Sequence, residues 1–283
     1  MTSLPLPTED RISAWDSDHH GRLALLTRSE YARYLRRLAA DHDLLVVTSF
    51  ELRRFLTNPS WSASTKNFAL RAIRSFCRWC VLVDLRSDDP SEKIPMAKVV
   101  VPDVRVADDS IRDALIEACC SLRDQAFVAT LFGAGCRRGE IVALTLADVD
   151  LNAATLRIPK SKNGRPRPAP LTPHAVKHLR RWLLERRRMD TGADALWLTQ
   201  RGTALTSAGA KMTLRRVSER AGVTFSSHDA RRAYAVNWLR MGGSETSLMA
   251  IAGWSSISMV QRYTRMNSQE LAIDEARRLF GTT

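Results

Sequence analysis

The chain has 283 residues, 45% of them hydrophobic, enough to bury a sizeable core in one large domain or two smaller ones. Its 43 Lys+Arg against 30 Asp+Glu leave a formal charge of +13 spread along the chain, so a polyanionic partner is expected, nucleic acid first among them. No run of 18 apolar residues is present, which excludes a membrane-spanning helix, and neither a Walker loop nor a dinucleotide glycine loop appears, which removes the usual ATP and NAD sites.

In chain order, residues 1–19, with Pro5, Pro7 and part of the polar run DSDHHG, carry no sustained periodicity and predict a flexible arm. Thr27-Arg28-Ser29-Glu30 predicts a capping box, in which a hydroxyl and a carboxylate satisfy each other's free backbone N–H groups; Tyr31, Leu35 and Leu38 follow on one helix face. Thr48-Ser49-Phe50-Glu51 predicts a second box, opening a helix that stops before Pro59. A third helix is expected from about 62 to 85, with Ala69, Ile73, Phe76, Cys80 and Val83 on its core face. Arg71, Arg74 and Arg78 make a basic stripe on another face, and with Lys66 they are the candidate DNA-binding residues of an all-helical domain over 20–88.

Five cysteines with no signal peptide ahead of them fit a reducing cytosol. Cys77 and Cys80 form a C-x-x-C, but no second Cys or His pair stands at zinc spacing, so no metal site is expected.

Residues 89–109, with Pro90, Pro95 and Pro102, read as an extended linker, and a larger domain follows over 110–283. Within it, AATLRIPKSKNGRPRPAPL predicts two short strands around a two-residue turn at Asn163-Gly164, the second an edge strand because Pro166, Pro168 and Pro170 cannot donate ladder bonds. Helices are expected over 173–188, 206–220, 228–240 and 268–280. The fold class is therefore mainly α with a small β-hairpin or sheet.

Four segments carry polar residues that core packing does not need. In GAGCRRGEI, residues 133–141, a glycine turn ends one apolar helix and Arg137 opens the next, where a guanidinium beside free backbone N–H groups suits a phosphate. Lys162 precedes the hairpin turn, from which its ammonium can project. In HDARRAYA, His228 and Arg231 share a helix face, able to bind one anion jointly, with Ser226 or Ser227 available as the cap. In GWSSISMVQRYTR, Trp254 and Tyr263 stand nine apart.

Taken in order, Gly135-x-Arg137-x-x-Glu140, a hairpin lysine 25 residues after Arg137, His228-x-x-Arg231 and Trp254-x8-Tyr263 resemble the tyrosine recombinase, or phage integrase, family, and the resemblance runs from about residue 20 to the C-terminus. It implies an N-terminal helical core-binding (SAM-like) domain, a tyrosine-recombinase catalytic domain, and a site made of Arg137, Lys162, His228, Arg231, Trp254 and Tyr263. The pattern departs from the family at Ala230, Arg232 and Arg265, and at Trp254, a position usually held by histidine.

The resemblance further implies that Tyr263 attacks a DNA phosphodiester and leaves a 3′-phosphotyrosine, with no metal and no ATP. Arg137 and Arg231 would hold the phosphate oxygens, Lys162 would protonate the departing 5′-oxygen, His228 would relay a proton, and Glu140 would support the site. The implied partners are double-stranded core recombination sites and a homotetramer on DNA, assembled from a monomer in solution, with the helix SQELAIDEARRLF exchanged between protomers or packed in cis; no cofactor and no membrane are expected. Only 26 residues precede the first expected capping box, which points to an arm-less integrase of a phage or mobile element. A recombinase resolving chromosome or plasmid dimers, and a DNA-binding regulator that has lost catalysis, are the alternatives.

Overall fold

The chain folds as two units, residues 1–102 and 103–283. The computed structural model describes residues 7–99, 107–159, 166–189, 191–264 and 268–281, without the side chains of 262–264 and 270–271.

The first unit holds α1 (Thr8–Asp18), α2 (Leu25–Ala39), α3 (Ser49–Leu56) and α4 (Ala63–Leu82). Helix α1 corrects the expectation of a flexible arm for residues 8–18, while residues 1–6 of that arm lie outside the described residues. Its apolar contribution is small, because only Ile12 and Trp15 enter the core from it, and this is why no periodicity is visible. Polar residues supply the remaining anchors. Arg28 donates to the Asp16 carboxylate at 2.9 Å, the Trp79 indole to Asp18 at 2.6 Å, and Arg11 to Asp43 at 3.0 Å. Trp15 is 0% exposed, stacks with Tyr31 at 6.3 Å and donates its indole N–H to Ser75. Trp15→Ala should lower the stability of this unit by about 3–5 kcal/mol, read as a shift in its denaturation midpoint.

A second correction concerns α2, which begins at Leu25 with no side-chain cap, so Thr27 and Glu30 lie inside the helix rather than at its start. Burial of Tyr31, Leu35 and Leu38 decides the helix, and the cap is dispensable. The Thr48 box does form: the Thr48 N–H donates to Glu51 at 2.8 Å and the Glu51 N–H to the Thr48 hydroxyl at 3.3 Å. Ser62 caps α4, accepting from the Thr65 N–H at 3.1 Å.

The first part of the expected linker is strapped to this unit rather than free. Ile94 and Ser91 are buried, Asn67 exchanges two hydrogen bonds with the Ala97 backbone at 2.9 and 2.7 Å, and Arg53 donates to the Lys93 carbonyl at 3.1 Å. Residues 100–106 lie outside the described residues.

The second unit runs through α5 (Asp109–Glu117), α6 (Leu122–Ala134), α7 (Arg138–Val142), β1 (Val149–Asp150), β2 (Thr155–Ile158), β3 (Arg167–Pro170), α8 (Pro173–Arg188), α9 (Ser207–Arg220), α10 (Ser227–Arg240), α11 (Glu245–Ala252), α12 (Ile257–Thr264) and α13 (Ser268–Phe280). Helix α6 is buried continuously from Ala126 to Ala134 and forms the axis on which α8 and α10 pack. A smaller cluster of Tyr234, Ala235, Leu248, Ala252, Trp254 and Val260 joins α10, α11 and α12.

The strands form an antiparallel sheet ordered β1-β2-β3, with proline-rich β3 at an edge as expected. Their register differs from the one a two-residue turn would set directly. A tight turn at Asn163-Gly164 would set Ile158 opposite Ala169, whereas Ile158 pairs with Arg167 and Leu156 with Ala169. The offset is even, so the buried face is preserved and Leu156, Ile158 and Ala169 all reach the core. Asn163 and Gly164 themselves lie outside the described residues.

Candidate active site

Gly135 ends α6 at φ +60°, and a methyl group in its place would overlap the buried Tyr234 ring, so the position demands glycine for both conformation and space. The chain then runs extended through Arg137, which caps α7. The Arg137 N–H donates to Glu140 Oε2 at 2.9 Å and its Nη1 to Oε1 at 3.0 Å, while Nη2 reaches the Gly253 carbonyl at 3.3 Å. Its side chain remains 44% exposed, and the guanidinium is held at two corners while open to solvent.

Helix α10 is capped by Ser226, whose N–H and hydroxyl both donate to Asp229 at 2.8 and 2.7 Å. His228 follows in the first turn and is exposed. Arg231, one turn further, is 3% exposed; its Nη1 donates to the Gly135 carbonyl at 2.8 Å, its Nη2 to the Ala252 carbonyl at 2.7 Å, and its guanidinium lies 4.9 Å from the Trp254 ring centroid. These bonds join the α6–α7 turn, α10 and the C-terminus of α11 around a single side chain.

The C-terminus of α11 is thus where the separated segments meet. Gly253 leaves the helix at φ +65°, and Trp254 turns back into the core, its N–H bonded to the Met249 carbonyl at 2.9 Å. Helix α12 follows, fixed by Val260, which is fully buried, and carries Tyr263 one turn later. The structure therefore brings Arg137, Arg231 and Trp254 together, and places His228 on the helix of Arg231 and Tyr263 on the helix after Trp254. Lys162 lies outside the described residues, within the connection between β2 and β3.

Glu140 organises one side of this cluster. Burial alone would raise its carboxyl pKa, but the bond from Arg167 Nη2 at 2.8 Å and those from Arg137 more than offset it, holding the carboxyl below its usual range. A depressed folded-state pKa contributes stability above the unfolded value of about 4.3 and loses it as pH falls through the folded one. The melting temperature of Glu140→Gln should therefore lie below wild type at pH 7, and the gap should close as both proteins are taken below about pH 4.

Sequence reasoning missed Arg167. Its signal was available: an arginine between Pro166 and Pro168, where alternation along β3 sends it to the opposite face from Pro168. It also missed that Gly253 and Gly135 form a pair of left-handed exits presenting carbonyls to arginines.

In the first unit the basic stripe is divided. Arg71 and Arg78 are exposed and line a cavity of about 750 Å³ with Arg22, His19 and Tyr31. Arg74 also borders it, but its guanidinium donates to the Ser91, Glu92 and Ile94 carbonyls, so it holds the chain segment there. Arg78 stands 3.8 Å from Asp89, and Lys66 is half-buried. Cys77 and Cys80 belong to the core, where burial pushes both thiols up to about 12.

The model of the phage integrase family matches residues 107–270. The chain is 31% identical over 219 residues to the tyrosine recombinase XerD of Ralstonia nicotianae, covering 74% of this chain and 71% of that protein. It is 30% identical over 239 residues to the tyrosine recombinase XerC of a Roseiflexus species, covering 80% and 75%. A solved lambda integrase tetramer bound to a Holliday junction has the same fold, with a TM-score of 0.73 at 14% identity over 89% of this chain and 78% of that one.

Proposed function

We propose a residue-level mechanism for a chain that belongs to the phage integrase family and is a tyrosine recombinase, an enzyme that cleaves and rejoins DNA strands. The Tyr263 oxygen attacks a phosphodiester, the bond to the 5′-oxygen breaks, and the DNA 3′ end remains on the protein as a phosphotyrosine. Negative charge builds on the non-bridging oxygens as five-coordinate phosphorus forms. Arg137 and Arg231, always protonated and geometrically fixed, are suited to bind them. His228 takes or relays the phenol proton, Lys162 gives one to the departing 5′-oxygen, and Trp254 packs beside the phosphate. Because the phosphotyrosine keeps the energy of the broken ester, a 5′-hydroxyl from a second duplex reverses the step and completes strand exchange.

The observation that carries this reading is the meeting of Arg137 and Arg231 on the Gly253 and Ala252 carbonyls, immediately before Trp254. Two guanidiniums from segments almost a hundred residues apart are held side by side there, one exposed and one buried. In the first unit, exposed Arg71 and Arg78 are suited to the DNA backbone, with Lys66 and Arg74 at the margin. Leu279 and Phe280 on α13 are 74% and 79% exposed, which favours α13 packing against a second protomer in a homotetramer on DNA.

The biological role we favour is integration or excision of a mobile element, because Ala230, Arg232, Trp254 and Arg265 depart from the family pattern. The similarity to proteins named XerD and XerC favours a second role, resolution of chromosome or plasmid dimers. Both share the chemistry, and a nicked duplex tests it: cleavage beside the nick releases a short strand, religation is prevented, and a denaturation-resistant adduct at the DNA 3′ end should accumulate. A pool of such duplexes covering the DNA that flanks the gene supplies candidate sites. Recovery of a phage-type attachment site or of a dimer-resolution site then separates the two roles, and no adduct across the pool and on known sites of both classes sinks the mechanism.

A further inference from the structure

We infer that Arg167 is a positioning residue for strand cleavage, setting the Arg137 guanidinium and the Gly253–Trp254 turn in the geometry that receives the phosphate. The inference rests on the mechanism proposed above and extends it to a residue that does not touch DNA. Arg167 opens β3, the strand that follows the connection containing Lys162. Its side chain is 11% exposed.

Its donors are distributed over two structures. Toward α7, Nη2 and Nη1 donate to the Glu140 oxygens at 2.8 and 3.3 Å, a two-oxygen grip on the carboxylate that also fixes Arg137 from both its N–H and its guanidinium. Toward α11, Nε donates to the Ile251 carbonyl at 2.7 Å and Nη2 to the Ala252 carbonyl at 3.3 Å. A cation at a helix C-terminus satisfies carbonyls left without intrahelical partners and complements the negative end of the helix dipole.

The guanidinium also explains Gly253 more fully than its dihedral does. A Cβ there would stand 3.0–3.2 Å from Arg167 Cζ, Nε and Nη1, so the turn into Trp254 is shaped around this arginine. Three guanidiniums consequently share one carboxylate and three successive carbonyls. Arg137 takes Glu140 and Gly253, Arg231 takes Ala252, and Arg167 takes Glu140, Ile251 and Ala252. Only Arg167 bonds to both Glu140 and α11 while remaining almost wholly buried, which fits a residue that holds the others rather than binding substrate.

Replacing the fork with a single neutral amide releases either Glu140 or the α11 end, and Arg137 loses its fixed direction. Misplacing a transition-state donor by about an ångström costs on the order of 100-fold, so Arg167→Gln should form the covalent adduct about 10- to 100-fold more slowly in single turnover at saturating DNA. The DNA dissociation constant should stay within about twofold, because contacts elsewhere dominate affinity. Arg167→Lys keeps the charge but not the fork, and should fall between Gln and wild type. Because both residues act through one contact, Glu140→Gln in the Arg167→Gln background should add much less than it does alone.

All rates are compared at a temperature where melting curves show each variant folded. A folded Gln variant that cleaves at the wild-type rate overturns the inference. So does a loss of rate matched by an equal loss of DNA affinity, which would make the role purely structural. Should Gln not fold, Lys decides by the same split, and failure of both to fold also overturns it. Absence of adduct with wild-type protein on its site would instead bring down the mechanism itself, whereas a normal wild-type rate with an unaffected Arg167→Gln removes this inference alone.

Discussion

Tyr263→Phe should form no covalent DNA adduct on a nicked duplex while binding the same duplex with wild-type affinity. The substitution removes one oxygen and keeps the ring. Helix α12 is fixed by the fully buried Val260 and by packing on α10 and α11, so the change should leave the fold in place. An unaided phenol, with a pKa of about 10, is ionised in only about one molecule in a thousand at pH 7, so the attacking form depends on a proton acceptor and on the positive field of nearby arginines. Without the oxygen neither has anything to act on, and the loss should be at least about 10³-fold, which in practice means no band. Denaturing gel electrophoresis of labelled DNA reads the adduct, and a mobility shift reads binding. An adduct that persists with phenylalanine places the nucleophile elsewhere in the chain.

The two ends of this chain differ in how much their sequences reveal. From Pro173 onward the long helices are legible almost to the residue, because apolar periodicity, caps and glycine exits agree: the expected 206–220 and 228–240 are observed as Ser207–Arg220 and Ser227–Arg240. Helix α1 is hidden because it is held by Asp16, Asp18 and Arg11 as much as by Trp15, and polar partners 12, 61 and 32 residues away leave no mark on local pattern. The short α11 was likewise unread, since eight residues offer barely two turns of periodicity.

The site behaves the same way. The order Arg137, His228, Arg231, Trp254, Tyr263 is legible as a set, but what joins its members is backbone. Carbonyls of Gly135, Ala252 and Gly253 are named by no side chain, and Arg231 and Arg137 reach them only through tertiary packing. The basic stripe shows the opposite error. Spacing puts Arg74 on the face of Arg71 and Arg78, yet the 91–94 segment, invisible to helical spacing, engages its guanidinium.

Arg231→Lys should separate charge from geometry at the phosphate. An ammonium retains the positive charge but presents it as a compact point, whereas Arg231 uses two separate nitrogens to reach carbonyls on two elements, Gly135 at the end of α6 and Ala252 at the end of α11. One lysine nitrogen cannot replace that span: if it keeps Ala252, the Gly135 carbonyl on a buried residue loses its Arg231 donor, at about 1–3 kcal/mol, and if it keeps Gly135, the Ala252 carbonyl is left with the longer 3.3 Å bond from Arg167. Cleavage should suffer more, because the always-charged fork proposed to bind the developing charge on phosphorus disappears, and losing one such donor costs about 10²–10³ in rate. The expected result is a stable but lowered melting transition, DNA binding reduced far less than rate, and adduct formation slowed by that larger factor. Arg231→Ala removes the charge as well and should cut deeper, with no rescue by raising DNA concentration. If the lysine variant instead cleaves near the wild-type rate, the buried guanidinium serves only to tie α6, α10 and α11 together, and the phosphate must be received by Arg137 without it.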